Sequence, residues 1–223
     1  MRQNRYWGGQ TGKYTGNLEV GMTENAPHPV PMDEPGMQQV PAVVEVVENR
    51  IYFYADVERG NILTLNKTID SLNNELLHKS IITSNTPPEI YLYVNSFGGH
   101  IFDAFSALDS VISSRIPINT VIDGCAASAA TLITVVGHKR YIKPHAYILI
   151  HQISSIMWGK YMEFKDEMDN LDKFMVMLKK IYKEHTNLPM SKLDEILKHD
   201  LWFDAEDAIK FGLVDEIFTR GEK

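Results

Sequence analysis

Segments of strand character and segments of helix character alternate along the chain from Val43 onward. VVEVV and RIYFYADV are rich in β-branched and aromatic residues, and the same character returns in EIYLYVNS at 89–96, INTVIDG at 118–124 and AYILIHQ at 146–152. Stretches with helical spacing lie between these strands. Such an alternation predicts an α/β fold with a mostly parallel sheet and crossover helices.

The helices are indicated by apolar residues that recur at helical spacing. Two early helices are marked by Ile69, Leu72, Leu76 and Leu77, and by Ile101, Phe105, Leu108 and Ile112. SAATLITVVG predicts a third helix and SKLDEILKHD a short one. A last helix in DAEDAIKFGLVDEI is expected to have Asp204 as its N-cap, with Glu206 and Asp207 in the first turn.

A long helix is predicted at about 160–185, because one apolar stripe continues there for five turns. The stripe consists of Phe164, Met168, Leu171, Met175, Leu178 and Tyr182, and a second set widens it, namely Phe174, Met177 and Ile181. So broad an apolar arc exceeds what one core face needs, so part of this helix is expected to pack on another subunit. A helix buried wholly within its own domain is the alternative.

Residues 1–42 differ from the rest of the chain because glycine and proline punctuate them throughout. This composition predicts an extended or disordered N-terminal arm, followed by a single domain at 43–223. GGQTGK at 8–13 is similar to a phosphate loop, but its spacing is short. Tyr14 also stands where the metal-binding hydroxyl belongs, so we assign no nucleotide site to the arm.

The charge balance and the cysteine content exclude several classes of partner. The chain has 22 basic and 29 acidic residues, a net charge of -7, without a basic block, which disfavours nucleic acid. Cys125 is the single cysteine and cannot form an internal disulfide. Neither a secretory signal nor 18 uninterrupted apolar residues occur, so we expect a soluble, cytoplasmic protein without a membrane partner.

The most unusual short segment is GCAASAA at 124–130, where glycine and alanine surround Ser128. A strand that enters a helix through a tight turn exposes the side chain at the junction beside free backbone N–H groups. Ser128 is therefore a candidate nucleophile, although small residues beside a serine are also common in plain helix packing. Gly98 and Gly99 follow a neighbouring strand and could direct N–H groups into the same crevice, or form an ordinary turn.

A serine nucleophile requires a base and a group that orients it. His151 ends an apolar strand where the chain leaves the sheet, a position suited to a base, whereas a hydrogen-bonded structural histidine is the default. His100 and His199 are the other histidines near these motifs. The best orienting acid would be buried beside apolar or aromatic residues; Asp200 precedes Leu201, Trp202 and Phe203, but spacing alone leaves Asp194, Asp204 and Asp207 open.

Four ordered segments carry a resemblance to a known family: YLYVNSFGG, GCAASAA, ILIHQ and DLWFDAEDAIKFGLVDEI. They resemble the signature segments of ClpP, the proteolytic subunit of the Clp ATP-dependent serine protease, from about Arg50 to Ile217. The resemblance implies an α/β fold of the ClpP/crotonase-like type, a spiral of βαβ units with a protruding strand-helix handle. The helix at 160–185 looks like the handle helix.

The resemblance also implies the roles of individual residues. Ser128 resembles the nucleophile of the family, His151 its general base and Asp200 its orienting acid. Gly99 and Ala129 match the positions whose backbone N–H groups form the oxyanion hole. Such a site needs no metal and no cofactor.

The N-terminal arm is longer than, and unlike, the axial loop of the family, and the chain departs from the family pattern in three further places. Phe97 precedes the two glycines where the family usually has a proline. The segment that would bind an extended peptide substrate contains Ile153, Ser154 and Ser155 in place of a proline and glycines. An acid-arginine pair that couples the rings of the family is replaced by Lys198 and His199.

The expected function is that of a serine endopeptidase subunit acting on unfolded polypeptides. The resemblance implies a homo-oligomer of two stacked heptameric rings and a partner unfoldase of the Clp/Hsp100 type, which hydrolyses the ATP. Two other functions are considered. A catalytically silent ring subunit would assemble with an active ClpP homologue, and an acyl-CoA enzyme of the crotonase type would use the glycine amides without the Ser128 and His151 pair.

Overall fold

The structure is a computed structural model that describes residues 43–219. It contains eight strands: β1 Val43–Val47, β2 Arg50–Tyr54, β3 Ile90–Ser96, β4 Ile118–Ala127, β5 Arg140–Ile142, β6 Tyr147–Leu149, β7 Trp202–Phe203 and β8 Glu216–Ile217. The six helices are α1 Arg59–Thr83, α2 Ile101–Ile112, α3 Ala129–Thr134, α4 Tyr161–His185, α5 Met190–Ile196 and α6 Ala205–Lys210. The predicted alternation of strands and helices is confirmed.

The strands form one sheet in the order β1-β2-β3-β4-β5-β8, with β6 beside the end of β4 and β7 beside β6. All pairings from β2 to β8 along this order are parallel, whereas β1–β2 and β6–β7 are antiparallel. Helix α1 connects β2 to β3 and α2 connects β3 to β4, as crossover connections require. This mixed α/β architecture agrees with the predicted fold class.

The two faces of the sheet differ because successive strand residues point to opposite sides. The main core contains Ile51, Phe53, Leu92, Val94 and Ile122 together with the buried residues of α1, α2 and α3. The other face has a smaller aromatic cluster of Tyr52, Tyr54, Tyr91, Tyr93, Tyr141 and Phe218 around Val121. Alternating strand residues therefore supply two separate clusters.

Strand β4 changes its neighbour part-way along its length, and this change positions its carboxyl end. Its first half pairs with β5, and its second half pairs with β6. The register with β3 shifts between these halves, with Val94 opposite Ile122 but Ser96 opposite Ala126. Gly124 lies in this irregular segment with φ +92°, and a Cβ there would lie 2.7 Å from the side-chain nitrogen of Asn95. Only glycine allows this close approach without displacement.

Several sequence predictions are corrected in detail. The third helix ends at Thr134 rather than continuing to the glycine, since residues 135 and 136 form a turn. The strand at 140–142 was not predicted from the sequence, because three residues are too short to show a period. The long helix is confirmed as α4, and the cap of α6 is confirmed by the Asp207 N–H, which donates to Asp204 Oδ1 at 2.9 Å.

Candidate active site

Ser128 lies at the junction between β4 and α3 in a strained backbone conformation. Its φ of 53° and ψ of -128° are unusual for a residue other than glycine. The junction is held from both sides: the Ser128 N–H donates to the Leu149 carbonyl at 2.9 Å, and the Ser128 carbonyl accepts from Thr131 N and Thr131 Oγ1 at 3.0 and 2.6 Å. The serine is the residue immediately before the helix, one position earlier than the first-turn placement that the sequence indicates.

The glycine loop after β3 packs directly against this junction. Gly98 has φ +103°, and a Cβ added to it would lie 2.7 Å from both the Ala127 carbonyl oxygen and Ser128 Cβ. Val57 fixes the loop from the other side, because its N–H donates to the Gly98 carbonyl and its carbonyl accepts from the His100 N–H, each at 2.7 Å. This pattern is a parallel bridge between Val57 and Gly99, so the N–H of Gly99 points away from Val57.

His151 follows β6, and the segment after it is anchored by the Gln152 N–H, which donates to the Leu197 carbonyl at 2.9 Å. Ser128 and His151 both line one cavity of about 320 Å³, together with Gly99 and Ala129. The two side chains are thus brought to the same space from positions 23 residues apart. In the part of the chain that the structure describes, no hydrogen bond joins the side chains of Ser128 and His151.

Asp200 lies beside His151, with its Oδ1 at 3.4 Å from His151 Nδ1. The expectation that this acid would be buried is wrong for the single chain. The Asp200 side chain is 80% exposed, against 22% for that of His151. The following Leu201 and Trp202 are themselves exposed, because β7 is a two-residue strand at the edge of the sheet and leaves little structure to cover the acid.

The alternative acids and histidines lie elsewhere or have other partners. Asp194 is paired with Lys179 at 2.7 Å, and Asp204 caps α6. His100 lines the cavity, but its Nδ1 lies 3.3 Å from Oδ2 of Asp103, in the first turn of the α2 helix that His100 precedes. Of the candidates that spacing left open, Asp200 is the carboxylate that the structure places against His151.

Comparison with known proteins identifies the family. The family model described as Clp protease matches residues 47–221. A protein from Epifagus virginiana, called ATP-dependent Clp protease proteolytic subunit, is 32% identical over 192 residues, which cover 83% of this chain and 94% of that protein. The chain belongs to the Clp protease family. It is a protease subunit of the ClpP type.

A solved structure supports the fold of this Clp protease family member. A ClpP1 mutant from Listeria monocytogenes matches with a TM-score of 0.67 at 19% identity, over 78% of this chain and 92% of that one. The match shows the ClpP, crotonase-like fold. Among the described residues, no helix is both long and apolar enough to cross a membrane.

This protein also has a cysteine, Cys125, three residues before the candidate nucleophile Ser128. Cys125 lies in β4, with its Sγ 3.6 Å from Asn95 Oδ1 and 3.8 Å from the Ser96 carbonyl oxygen. Burial raises the pKa of this thiol, against the smaller effect of the Ser96 carbonyl contact. A thiol with a raised pKa is a poor nucleophile at neutral pH, so Cys125 is better suited to packing.

Several residues of the cavity were not identified as site residues from the sequence. The predicted peptide-binding residues Ile153 and Ser154 do line it, and the Ile153 N–H contacts Met175 Sδ at 3.4 Å. Phe102, Glu167 and Tyr182 line it as well. Glu167 and Tyr182 lie on α4. Helical spacing shows which residues share a face of this helix but not what that face contacts, so only the packing of α4 on α3 reveals that they line the cavity.

Proposed function

We propose that this chain is a serine endopeptidase in which Ser128 is the nucleophile, His151 the general base and Asp200 the orienting acid. One observation carries the proposal: Ser128 and His151 line the same cavity, and the Asp200 carboxylate lies 3.4 Å from His151 Nδ1. A nucleophile and a base at one cavity, with a carboxylate beside the base, are the groups that acyl transfer needs.

The contact with Asp200 determines which imidazole nitrogen acts as the base. With the proton on Nδ1, towards the Asp200 carboxylate, Nε2 keeps its lone pair free to accept the proton of Ser128. As the hydroxyl attacks a peptide carbonyl, His151 becomes an imidazolium that Asp200 stabilises. The imidazolium then protonates the leaving amine, and water hydrolyses the acyl-enzyme through the same base.

The developing oxyanion is proposed to accept hydrogen bonds from the N–H groups of Gly99 and Ala129. The bridge with Val57 turns the Gly99 N–H away from Val57, and Ala129 is the first residue of α3, so its N–H has no partner within the helix. Both residues line the cavity. One donor of this kind contributes about 10²- to 10³-fold to the rate.

The peptide substrate is proposed to bind in an extended conformation along Ile153 and Ser154. Residues 151–160 belong to no strand of the sheet, so their backbone N–H and C=O groups form no strand pairing within the chain. An extended peptide can pair with such a segment while its side chains enter the cavity. Unfolded polypeptides are the substrates that can adopt this extended conformation. The proposed chemistry involves no metal and no cofactor of this chain.

The active form is proposed to be two stacked heptameric rings that receive substrate from an ATP-hydrolysing unfoldase of the Clp/Hsp100 type. The N-terminal half of α4 supports this assembly, because its large apolar side chains are exposed in the single chain. Tyr161 is 81% exposed, Met168 58% and Phe164 44%. A second subunit covering this face would remove that apolar surface from water.

The test is cleavage of fluorogenic peptides by Ser128→Ala, with labelling of the native protein by a fluorophosphonate. We expect loss of nearly all turnover in the variant and a single label on Ser128 in the native protein. Ser71→Ala is the control, since Ser71 is exposed on α1 and lies outside the cavity. Undiminished turnover in Ser128→Ala would overturn the assignment.

A silent ring subunit is the second candidate, and one observation favours it. The contact between His151 and Asp200 is long for a hydrogen bond, and the acid is largely exposed. A subunit of this kind would assemble with an active homologue and leave Ser128 unlabelled by the fluorophosphonate. Labelling of the purified protein therefore distinguishes the two functions.

A further inference from the structure

The cavity beside Ser128 is mostly apolar, yet it contains one carboxylate. Its apolar walls come from α2, α3 and α4, through Ile101, Phe102, Leu132, Leu171, Phe174 and Leu178. Glu167 lies in the same wall, one turn before Leu171 on α4. The proposed mechanism gives Glu167 no role, so its presence requires a separate explanation.

The carboxylate of Glu167 has a single polar contact in the described part of the chain. Ser155 Oγ donates to its Oε1 at 3.3 Å, and Ser155 lines the cavity too. No cationic side chain of residues 43–219 lies within 4.0 Å of Glu167, whereas α4 pairs other charges, such as Lys179 with Asp194 and Lys180 with Glu184. A half-buried carboxylate in an apolar cavity, bonded to one hydroxyl, is most favourable beside a cation.

We propose that this cavity binds a lysine or arginine side chain of the peptide substrate, with Glu167 accepting its charged end. The long apolar stem of either residue would pack on the apolar walls while the cationic head reaches the carboxylate. The inference rests on the proposed peptidase function of the same cavity. It adds the substrate class: polypeptide segments with a basic residue close to the cleaved bond.

The chain limits how far from the cleaved bond this basic residue can be. Ser155 follows His151 by four residues, and four extended residues span at most about 14 Å. Side chains of an extended peptide alternate, so those that enter one cavity are two residues apart. The basic residue is therefore expected within three positions of the bond that Ser128 attacks.

The experiment uses internally quenched peptides with one lysine moved through the three positions on either side of the cleaved bond. Each has a partner peptide with norleucine, which keeps the apolar stem and lacks the charged end. Hydrolysis is measured with the native protein, and binding is measured by fluorescence polarisation with Ser128→Ala. We expect lysine to be favoured over norleucine by about fivefold or more at one position, as for a partly exposed charge pair.

Three variants separate the role of Glu167 from general electrostatics. Glu167→Gln should bring the ratio of lysine to norleucine to about one, and Glu167→Lys should favour a glutamate peptide at the same position. Asp166→Asn is the matched control, because Asp166 is exposed on the same turn and does not line the cavity. It removes the same charge and should leave the lysine preference intact.

The outcomes distinguish the inference from the function on which it rests. Hydrolysis of both peptides at equal rates, with equal binding, overturns the role of Glu167 and leaves the peptidase intact. Lysine-selective binding to Ser128→Ala that Glu167→Gln abolishes supports the inference even if no peptide is hydrolysed, in which case the peptidase function fails. Loss of selectivity in Asp166→Asn as well as in Glu167→Gln also overturns it.

Discussion

At the residue scale, the small side chains around Ser128 are explained by close contacts of the backbone. Gly98 packs on the Ala127 carbonyl and on Ser128 Cβ, and Gly124 packs on Asn95. Both have positive φ, so a side chain would be strained even where space allowed one. Glycine in these positions therefore lets the loop after β3 approach the serine junction and lets β4 approach Asn95 of β3.

Gly98→Ala should impair the reactivity of Ser128 more than it impairs folding. The new Cβ would lie 2.7 Å from Ser128 Cβ, so the serine must move, and a displaced nucleophile loses its alignment with base and oxyanion donors. We expect the rate of fluorophosphonate labelling to fall by about 10²-fold, the cost of a misplacement of about 1 Å. The rate is measured by mass spectrometry over time.

Gly60→Ala is the control for this substitution. Gly60 lies in the first turn of α1, and a Cβ added there would meet nothing within 4 Å. Alanine is favoured over glycine in a helix, so this variant should label at the native rate and be slightly more stable. Equal labelling by the two variants would show that the packing of Gly98 does not align the serine.

At the element scale, α4 contacts the nucleophile junction through two buried hydroxyl groups. The Tyr182 hydroxyl bonds Thr131 Oγ1, which in turn donates to the Ser128 carbonyl at 2.6 Å. Both residues are buried, and burial raises the pKa of Tyr182, against the smaller effect of its bond with Thr131, so the phenol stays neutral in the physiological range. The long helix therefore supports the short helix that follows the serine.

Thr131→Val should destabilise the protein more than Tyr182→Phe does. Tyr182→Phe removes one donor while Thr131 still bonds the Ser128 carbonyl, which costs about 1 kcal/mol of the free energy of unfolding. Thr131→Val leaves the buried Tyr182 hydroxyl without this partner, which costs about 1–3 kcal/mol. Chemical denaturation at one protein concentration measures both variants.

The double variant tests whether the two hydroxyl groups act together. Because Tyr182→Phe removes the group that Thr131→Val leaves unsatisfied, the double variant should lose less stability than the sum of the single losses. Strict additivity of the two losses would contradict the coupling of α4 to the serine junction.

At the scale of the whole molecule, the exposed apolar half of α4 is the feature that a single chain does not explain. Leu178, Ile181 and Tyr182 near its carboxyl end are buried, whereas Tyr161, Met162, Phe164 and Met168 near its start are exposed. One helix thus serves the core at one end and presents apolar surface at the other. The interface between subunits proposed above would account for this division.

Replacing Phe164 and Met168 together by glutamate should separate the two proposed rings. Four charges would face each other wherever a pair of these helices meets, and the lost apolar contacts would not be recovered. Native mass spectrometry should then show half the mass of the native assembly. Lys165→Gln is the control, since it alters the same turn without loss of apolar surface, and it should keep the full mass. A full-mass double variant would place the ring contact elsewhere.

The sequence by itself determined the fold class and the positions of most elements. The strands β1 to β4 and the helix α4 have long, regular apolar patterns, and such patterns depend only on neighbours along the chain. The Clp protease family also follows from ordered segments of sequence. The short strands β5 and β7 were missed, and Glu216–Ile217 form β8 where the last helix was predicted to continue, because two or three residues take their conformation from the strands beside them.

Only the tertiary structure decided which distant side chains meet and how exposed they are. Residue spacing left open the approach of Asp200 to His151, which only the family resemblance implied. Neither predicted the exposure of that acid or the placement of Glu167 in the cavity of Ser128. The physical reason is that contacts between α4, the segment after β6 and the glycine loop depend on how these elements pack against one another in three dimensions. Helical or strand periodicity specifies a face, and packing alone determines what that face contacts.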